Sequence, residues 1–149
     1  MPILATNKKA YFDYEILEKL EAGISLIGTE VKSIKGGRIS IAGSYVVIKD
    51  EQVFLIGCHI PAYQPKNAPK DYIPERSRKL LLKKNEIKKL IGKTKLKNLT
   101  LVPLKVYTKA GKIKVEIALV KGKKKTDKRQ TIKKRESDIE IKRALRVRG

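Results

Sequence analysis

Apolar and polar positions divide this chain into short runs, most of them with the period of a strand. Ala10 to Leu20 (AYFDYEILEKL) alternates imperfectly, with Phe12, Tyr14 and Ile16 on one face, and predicts a strand. Glu21-Ala22-Gly23 is expected to break it, and Ile24 to Ile27 to continue as strand. In Gly28 to Gly37, Val31 and Ile34 stand three apart, Thr29 is placed to cap and the glycine pair to stop a helix of two turns. Ser44 to Lys49 and Val53 to Ile60 are β-rich runs around Asp50-Glu51-Gln52, which predicts a hairpin. Pro61 to Pro74 is a loop punctuated by Pro61, Pro65, Pro69 and Pro74.

Glu75 to Lys95 is expected to be helical, because Leu80, Leu81, Ile87, Leu90 and Ile91 recur at helical spacing. Asn85 marks an internal break and Gly92 the end. Leu99 to Thr108 and Lys112 to Val120 are the clearest strands, joined by a hairpin turn at Lys109-Ala110-Gly111. About six strands with two or three short peripheral helices make the chain mainly β. They favour an OB-like closed antiparallel β-barrel, since closure removes exposed edges. An open α+β sheet with a helix on one face is the alternative.

Charge adds a second part. The chain carries 36 Lys and Arg residues against 15 Asp and Glu, a net +21 over 149 residues. The last stretch, Lys121 to Gly149, holds thirteen of those bases against Asp127, Glu136, Asp138 and Glu140. Such a segment buries too little apolar surface to offset an ordering entropy of ~1–2 kcal/mol per residue. Against a polyanion, each neutralised phosphate releases a condensed counterion and favours binding. The expected division is therefore residues 1–120 as an RNA-binding barrel and 121–149 as a basic C-terminal tail, disordered when free. No apolar run approaches the ~20 residues of a membrane-spanning helix, and no signal peptide is visible. The lone Cys58 fits a reducing cytoplasm.

Catalytic groups are scarce. His59 is the single histidine, and its neighbour Cys58 points to the opposite face of an extended strand, so the two make no dyad. One Cys and one His do not assemble a zinc site, and no phosphate-binding glycine loop is present. Asp13, Glu15, Glu18, Glu21 and Glu30 are scattered among bases, without a paired-carboxylate context. No enzymatic activity, cofactor or metal is expected. Lys8, Lys9, Lys32, Lys35, Arg38, Arg76, Arg78, Lys79, Lys112 and Lys114 recur at the ends of apolar elements, as phosphate contacts do. The six tyrosines are candidates for stacking on unpaired bases, though most fit better as core or rim residues. The chain has no recognition-helix pattern, RNP string or GxxG loop, which leaves shape and backbone recognition of a folded RNA. A structural ribosomal-type protein is the competing class.

Several strings occur together and in order: NKKA at Asn7 to Ala10, EAGISLIGTEVKSIKGG at Glu21 to Gly37, and Ser44-Tyr45. RSRKLLL at Arg76 to Leu82, LTLVPL at Leu99 to Leu104 and GKKKTDKR at Gly122 to Arg129 follow. From about Asn7 to its end the chain resembles the SsrA-binding protein (small protein B) family. The resemblance implies an OB-type barrel that binds the tRNA-like domain of transfer-messenger RNA. It also implies delivery of that RNA to stalled ribosomes in trans-translation, with the tail acting in the small-subunit decoding centre and message channel. By motif it assigns RNA binding to Asn7, Lys8, Glu21, Lys35, Leu81 and Lys114, and the ribosome-acting part of the tail to Asp127, Lys128 and Arg129. Phe12 stands where many relatives have a histidine, and Lys35 replaces an arginine, losing its planar fork. The implied protein is cytoplasmic, monomeric when free, and does not engage membranes.

Overall fold

The computed structural model describes residues 3–64, 66, 69–95 and 99–122. The expectations for Asp127, Lys128 and Arg129, and for the disorder of the tail that carries them, lie outside the described residues. Seven strands occur: β1 Ile3–Thr6, β2 Tyr14–Ile24, β3 Tyr45–Lys49, β4 Gln52–Ile56, β5 Arg78–Leu81, β6 Leu99–Lys109 and β7 Lys112–Gly122. Three helices accompany them: α1 Lys8–Asp13, α2 Gly28–Lys35 and α3 Lys84–Thr94.

The ring closes. Every pairing is antiparallel, in the order β6-β3-β4-β5-β2-β7, and β7 pairs back on β6. These six strands form the expected OB-like barrel, and β1 adds a seventh to the β6 edge. Two turns make the long ladders possible. Asp50 and Glu51 (φ 51° and 59°) and Ala110 and Gly111 (φ 51° and 77°) put paired left-handed residues between partnered strand ends. That geometry matches the right-handed twist of the flanking strands. Inside, Val53, Leu55, Leu80, Val106, Val115, Ile117 and Leu119 pack with Ile34 of α2 and Leu90 of α3. A smaller cluster lies outside the barrel, where Ala10 of α1 covers Val102, Leu104, Ala118 and Val120.

Five elements depart from the sequence expectations. Residues 8–13 form α1 rather than the start of a strand, because Asn7 caps them: its Oδ1 accepts from Ala10 N at 3.2 Å. β2 runs unbroken through Glu21-Ala22-Gly23 and ends at Ile24. There Gly23 is a close-approach residue, since a Cβ on it would stand 3.2 Å from Leu81 Cβ. Arg78–Leu81 is strand, alternating buried and exposed, and fills the gap between β4 and β2. Four residues are too few for periodicity to separate strand from helix. α2 is not capped by Thr29. Its third residue, Glu30, accepts instead from Ile27 N at 3.0 Å, and α3 repeats the device with Glu86 and Lys83 N at 3.1 Å. α3 passes through Gly92 to Thr94.

Candidate nucleic-acid interface

Alternation along β7 buries Val115, Ile117 and Leu119 and turns Lys114 and Glu116 outward. The outward residues align across strands. Leu81, Gly23, Lys114, Tyr107 and Ile3 are successive Cα partners over β5, β2, β7, β6 and β1. A neighbouring row runs Glu21, Glu116, Lys105 and Thr6. At ~4.8 Å per strand the first row spans about 19 Å. Its two ends are exposed apolar side chains, Leu81 at 53% and Ile3 at 56%.

One end of this row opens into a groove of about 370 Å³. Ile24, Leu26, Val31 and Ile113 give it an apolar floor, and Lys35, Lys112 and Lys114 stand on its rim with Leu81. Among the described residues none of these three lysines is in an ion pair. Free cations around an apolar floor suit a nucleotide, whose phosphate and base face need those two chemistries. Gly23 makes the groove possible by leaving room beside Leu81.

Glu21 adjoins the groove in the second row. Its Oε2 accepts from Tyr107 Oη at 2.5 Å and from Lys109 Nζ at 3.4 Å. The Tyr107 hydrogen bond, helped by the Lys109 and Lys114 charges, holds its carboxyl below the ordinary value. Burial first, and then Glu21, push the Tyr107 phenol well up. The carboxylate is therefore a fixed acceptor that aims a tyrosine and a lysine. Beside it Glu116 Oε1 is buried without a hydrogen-bond partner among the described residues, 3.9 Å from Lys19 Nζ.

The structure brings Lys35, Leu81 and Lys114 into one groove and sets Glu21 next to it. Asn7 and Lys8 stand elsewhere. Asn7 N donates to Leu104 O at 2.8 Å, three residues along β6 from Tyr107, or about 10 Å. Asn7 is 3% exposed, and its Nδ2 donates to Pro103 O at 2.9 Å. It positions α1, leaving Lys8 and Lys9 exposed at the helix start. A second cavity of about 350 Å³ lies there, lined by Asn7, Lys9, Asp13, Tyr14, Tyr45 and Thr100 among others.

Arg78 is no surface contact. It is fully buried, and its Nε and Nη2 donate to Glu30 Oε2 at 2.8 and 2.5 Å. Its Nη1 donates to Cys58 O at 2.6 Å and its Nη2 to Pro74 O at 2.8 Å. Arg76 pairs with the same carboxylate through both oxygens. Burial raises the Glu30 pKa, but the arginines and the Ile27 amide outweigh it and hold the carboxyl low. This knot ties α2, which carries Lys35, to β5, which carries Leu81. Burial pushes the Cys58 thiol up to about 11, which leaves it inert. His59 Nδ1 lies 2.6 Å from Glu75 Oε1. Among the described residues no three His, Cys, Asp or Glu side chains converge on a metal position, and no helix is long and apolar enough to cross a membrane.

The family model described as SmpB protein matches residues 4–147. The chain belongs to the SmpB family. An SsrA-binding protein from Sulfurihydrogenibium sp. (strain YO3AOP1) is 51% identical over 97% of this chain and 94% of its own. One from Carboxydothermus hydrogenoformans is 51% identical over 98% and 97%. A solved structure described as "tmRNA-SmpB: a journey to the center of the bacterial ribosome" superposes with a TM-score of 0.68 at 41% identity, covering 89% of this chain and 95% of that one. Within this SmpB-family barrel, the sequence left Gly23, Tyr107 and Lys109 unassigned. The glycine inside a strand pattern was the available signal, because it marks close backbone approach.

Proposed function

We propose that this protein is a non-enzymatic adaptor that binds the tRNA-like domain of transfer-messenger RNA and helps deliver it to stalled ribosomes in trans-translation. The observation that carries the reading is the convergence of Lys35, Leu81 and Lys114 from α2, β5 and β7 on one groove, with Glu21 fixed beside it. Three lysines take phosphates, the apolar floor and Leu81 take a base or sugar face, and Asn7 holds Lys8 in reach of the same RNA. Family membership supports the RNA and the ribosome as partners.

The barrel, residues 1–120, grips RNA, and the tail, 121–149, acts on the small-subunit decoding centre through Asp127, Lys128 and Arg129. β7 pairs Gly122 with Tyr14, while Lys114 lies eight residues back along the strand, about 26 Å away. RNA grip and tail root thus occupy opposite ends of one rigid ladder. The protein works as a monomer in the cytoplasm, where stalled ribosomes are. A chain ending at Gly122 keeps the whole ladder and tests this division. It is expected to bind the tRNA-like domain normally and to fail in ribosome rescue. Collapse of RNA affinity with the barrel still folded contradicts it.

A further inference from the structure

Among the described residues two well-exposed tyrosines, Tyr45 and Tyr63, lie outside the groove, and Tyr63 is the one that α2 holds. Tyr63, in the proline loop, is 45% exposed and so contributes little to any core. It is nevertheless held in place. Its amide donates to Thr29 Oγ1 on α2 at 3.0 Å, and Lys32 Nζ of the same helix lies 5.9 Å from its ring centroid. The loop behind it is fastened by Tyr72, whose hydroxyl donates to Ile60 O at 2.6 Å and lies 3.3 Å from Glu30 Oε2. Ile60 N closes the base on Pro74 O at 3.0 Å. A pre-ordered, exposed ring beside a lysine has the two parts of a single-strand RNA platform: a face for a base and a cation for its phosphate.

α2 joins this platform to the groove. Val31 and Lys35 line the groove, while Thr29 and Lys32 meet Tyr63. Lys32 and Lys35 are three apart, so their side chains are neighbours on the helix surface. Bases outnumber acids on both elements: Lys32 and Lys35 against Glu30 on α2, and Lys66 and Lys70 against Asp71 in the proline loop. Glu30 is neutralised by two arginines, and Glu75 is held by His59. We infer that Tyr63 is a stacking platform for an unpaired base of the same RNA that fills the groove, the strand crossing α2 between Lys35 and Lys32. The inference rests on the adaptor reading above and extends its interface to the far flank of α2.

The test uses full-length protein and the isolated tRNA-like domain of transfer-messenger RNA, with Tyr63→Ala, Tyr63→Phe and Lys114→Ala compared for affinity, salt slope and nuclease footprint. Tyr63→Phe keeps the ring and is expected to bind like the native protein. Tyr63→Ala is expected to lose about 5- to 150-fold in affinity, as removal of one stacked base does. Its salt slope stays unchanged, its melting temperature holds, and protection disappears at unpaired nucleotides only. Native affinity and footprint for Tyr63→Ala overturn the inference, as does weakened ribosome association with RNA binding intact, which indicates a ribosomal partner instead. If Lys114→Ala weakens binding and Tyr63→Ala does not, the platform alone falls. If neither variant changes binding, the groove reading falls with it. Loss in Tyr63→Ala alone contradicts the groove and, with it, the path across α2 that the inference assigns.

Discussion

Tyr107 donates its hydroxyl to the Glu21 carboxylate at 2.5 Å, across the outward face that β6 and β2 share with β7 between them. This contact resolves why an acidic residue belongs beside a polyanion. Glu21 holds Tyr107 and Lys109 in fixed positions, and its charge is engaged before any RNA arrives. Tyr107→Phe removes the largest cause of the lowered Glu21 pKa. The folded value lies below the ordinary 4.5, so the carboxylate's stabilising effect is complete above 4.5 and is lost as pH falls through the folded value. NMR titration of Tyr107→Phe is expected to show the Glu21 pKa rising toward 4.5, with weaker RNA binding. An unchanged titration separates the two residues.

The Glu30 knot ranks its own mutants. Glu30→Gln leaves buried Arg78 without its counter-charge and is expected to cost about 3–5 kcal/mol. Arg76→Ala leaves the Glu30–Arg78 pair intact at a side chain already 33% exposed, and is expected to cost about 1 kcal/mol. Urea denaturation of both variants checks the order; equal losses contradict it.

Gly23→Ala tests the wall of the groove. Its new methyl meets Leu81 Cβ at 3.2 Å and Cδ1 at 3.5 Å, so Leu81 shifts by a few tenths of an ångström. Overpacking at this partly open site is expected to cost about 1 kcal/mol of stability. RNA affinity is expected to fall more than stability does, and a calorimetric binding series beside a thermal melt separates the two.

Lys114→Ala removes one rim cation with no ion-pair partner among the described residues. Affinity is expected to fall, and the slope of log K against log salt to shrink by about 0.9, the value for one phosphate on a duplex. An unchanged slope makes Lys114 a solvated surface charge.

The barrel was legible because the long runs of β6 and β7 are β-rich and joined by a short turn, and the β3–β4 runs are bounded by turn residues. α1 was not, since Asn7 caps it with contacts to Pro103 and Leu104, far away in sequence. β5 was hidden for a similar reason: Arg78 has the composition of a surface residue, and its burial depends on the Glu30 carboxylate on α2 and on the Cys58 and Pro74 carbonyls. The groove was half visible. Lys35, Leu81 and Lys114 stand out by motif, but their convergence depends on Gly23, whose small size has meaning only against Leu81.

The most direct measurement is binding of the full chain to the isolated tRNA-like domain of transfer-messenger RNA, with an elongator tRNA as competitor, across a salt series. The shaped groove and its fixed Glu21–Tyr107 pair predict a clear preference for the tRNA-like domain that survives physiological salt. Equal affinities with one steep common slope would mean that the +21 charge alone binds RNA, and would contradict recognition by the barrel.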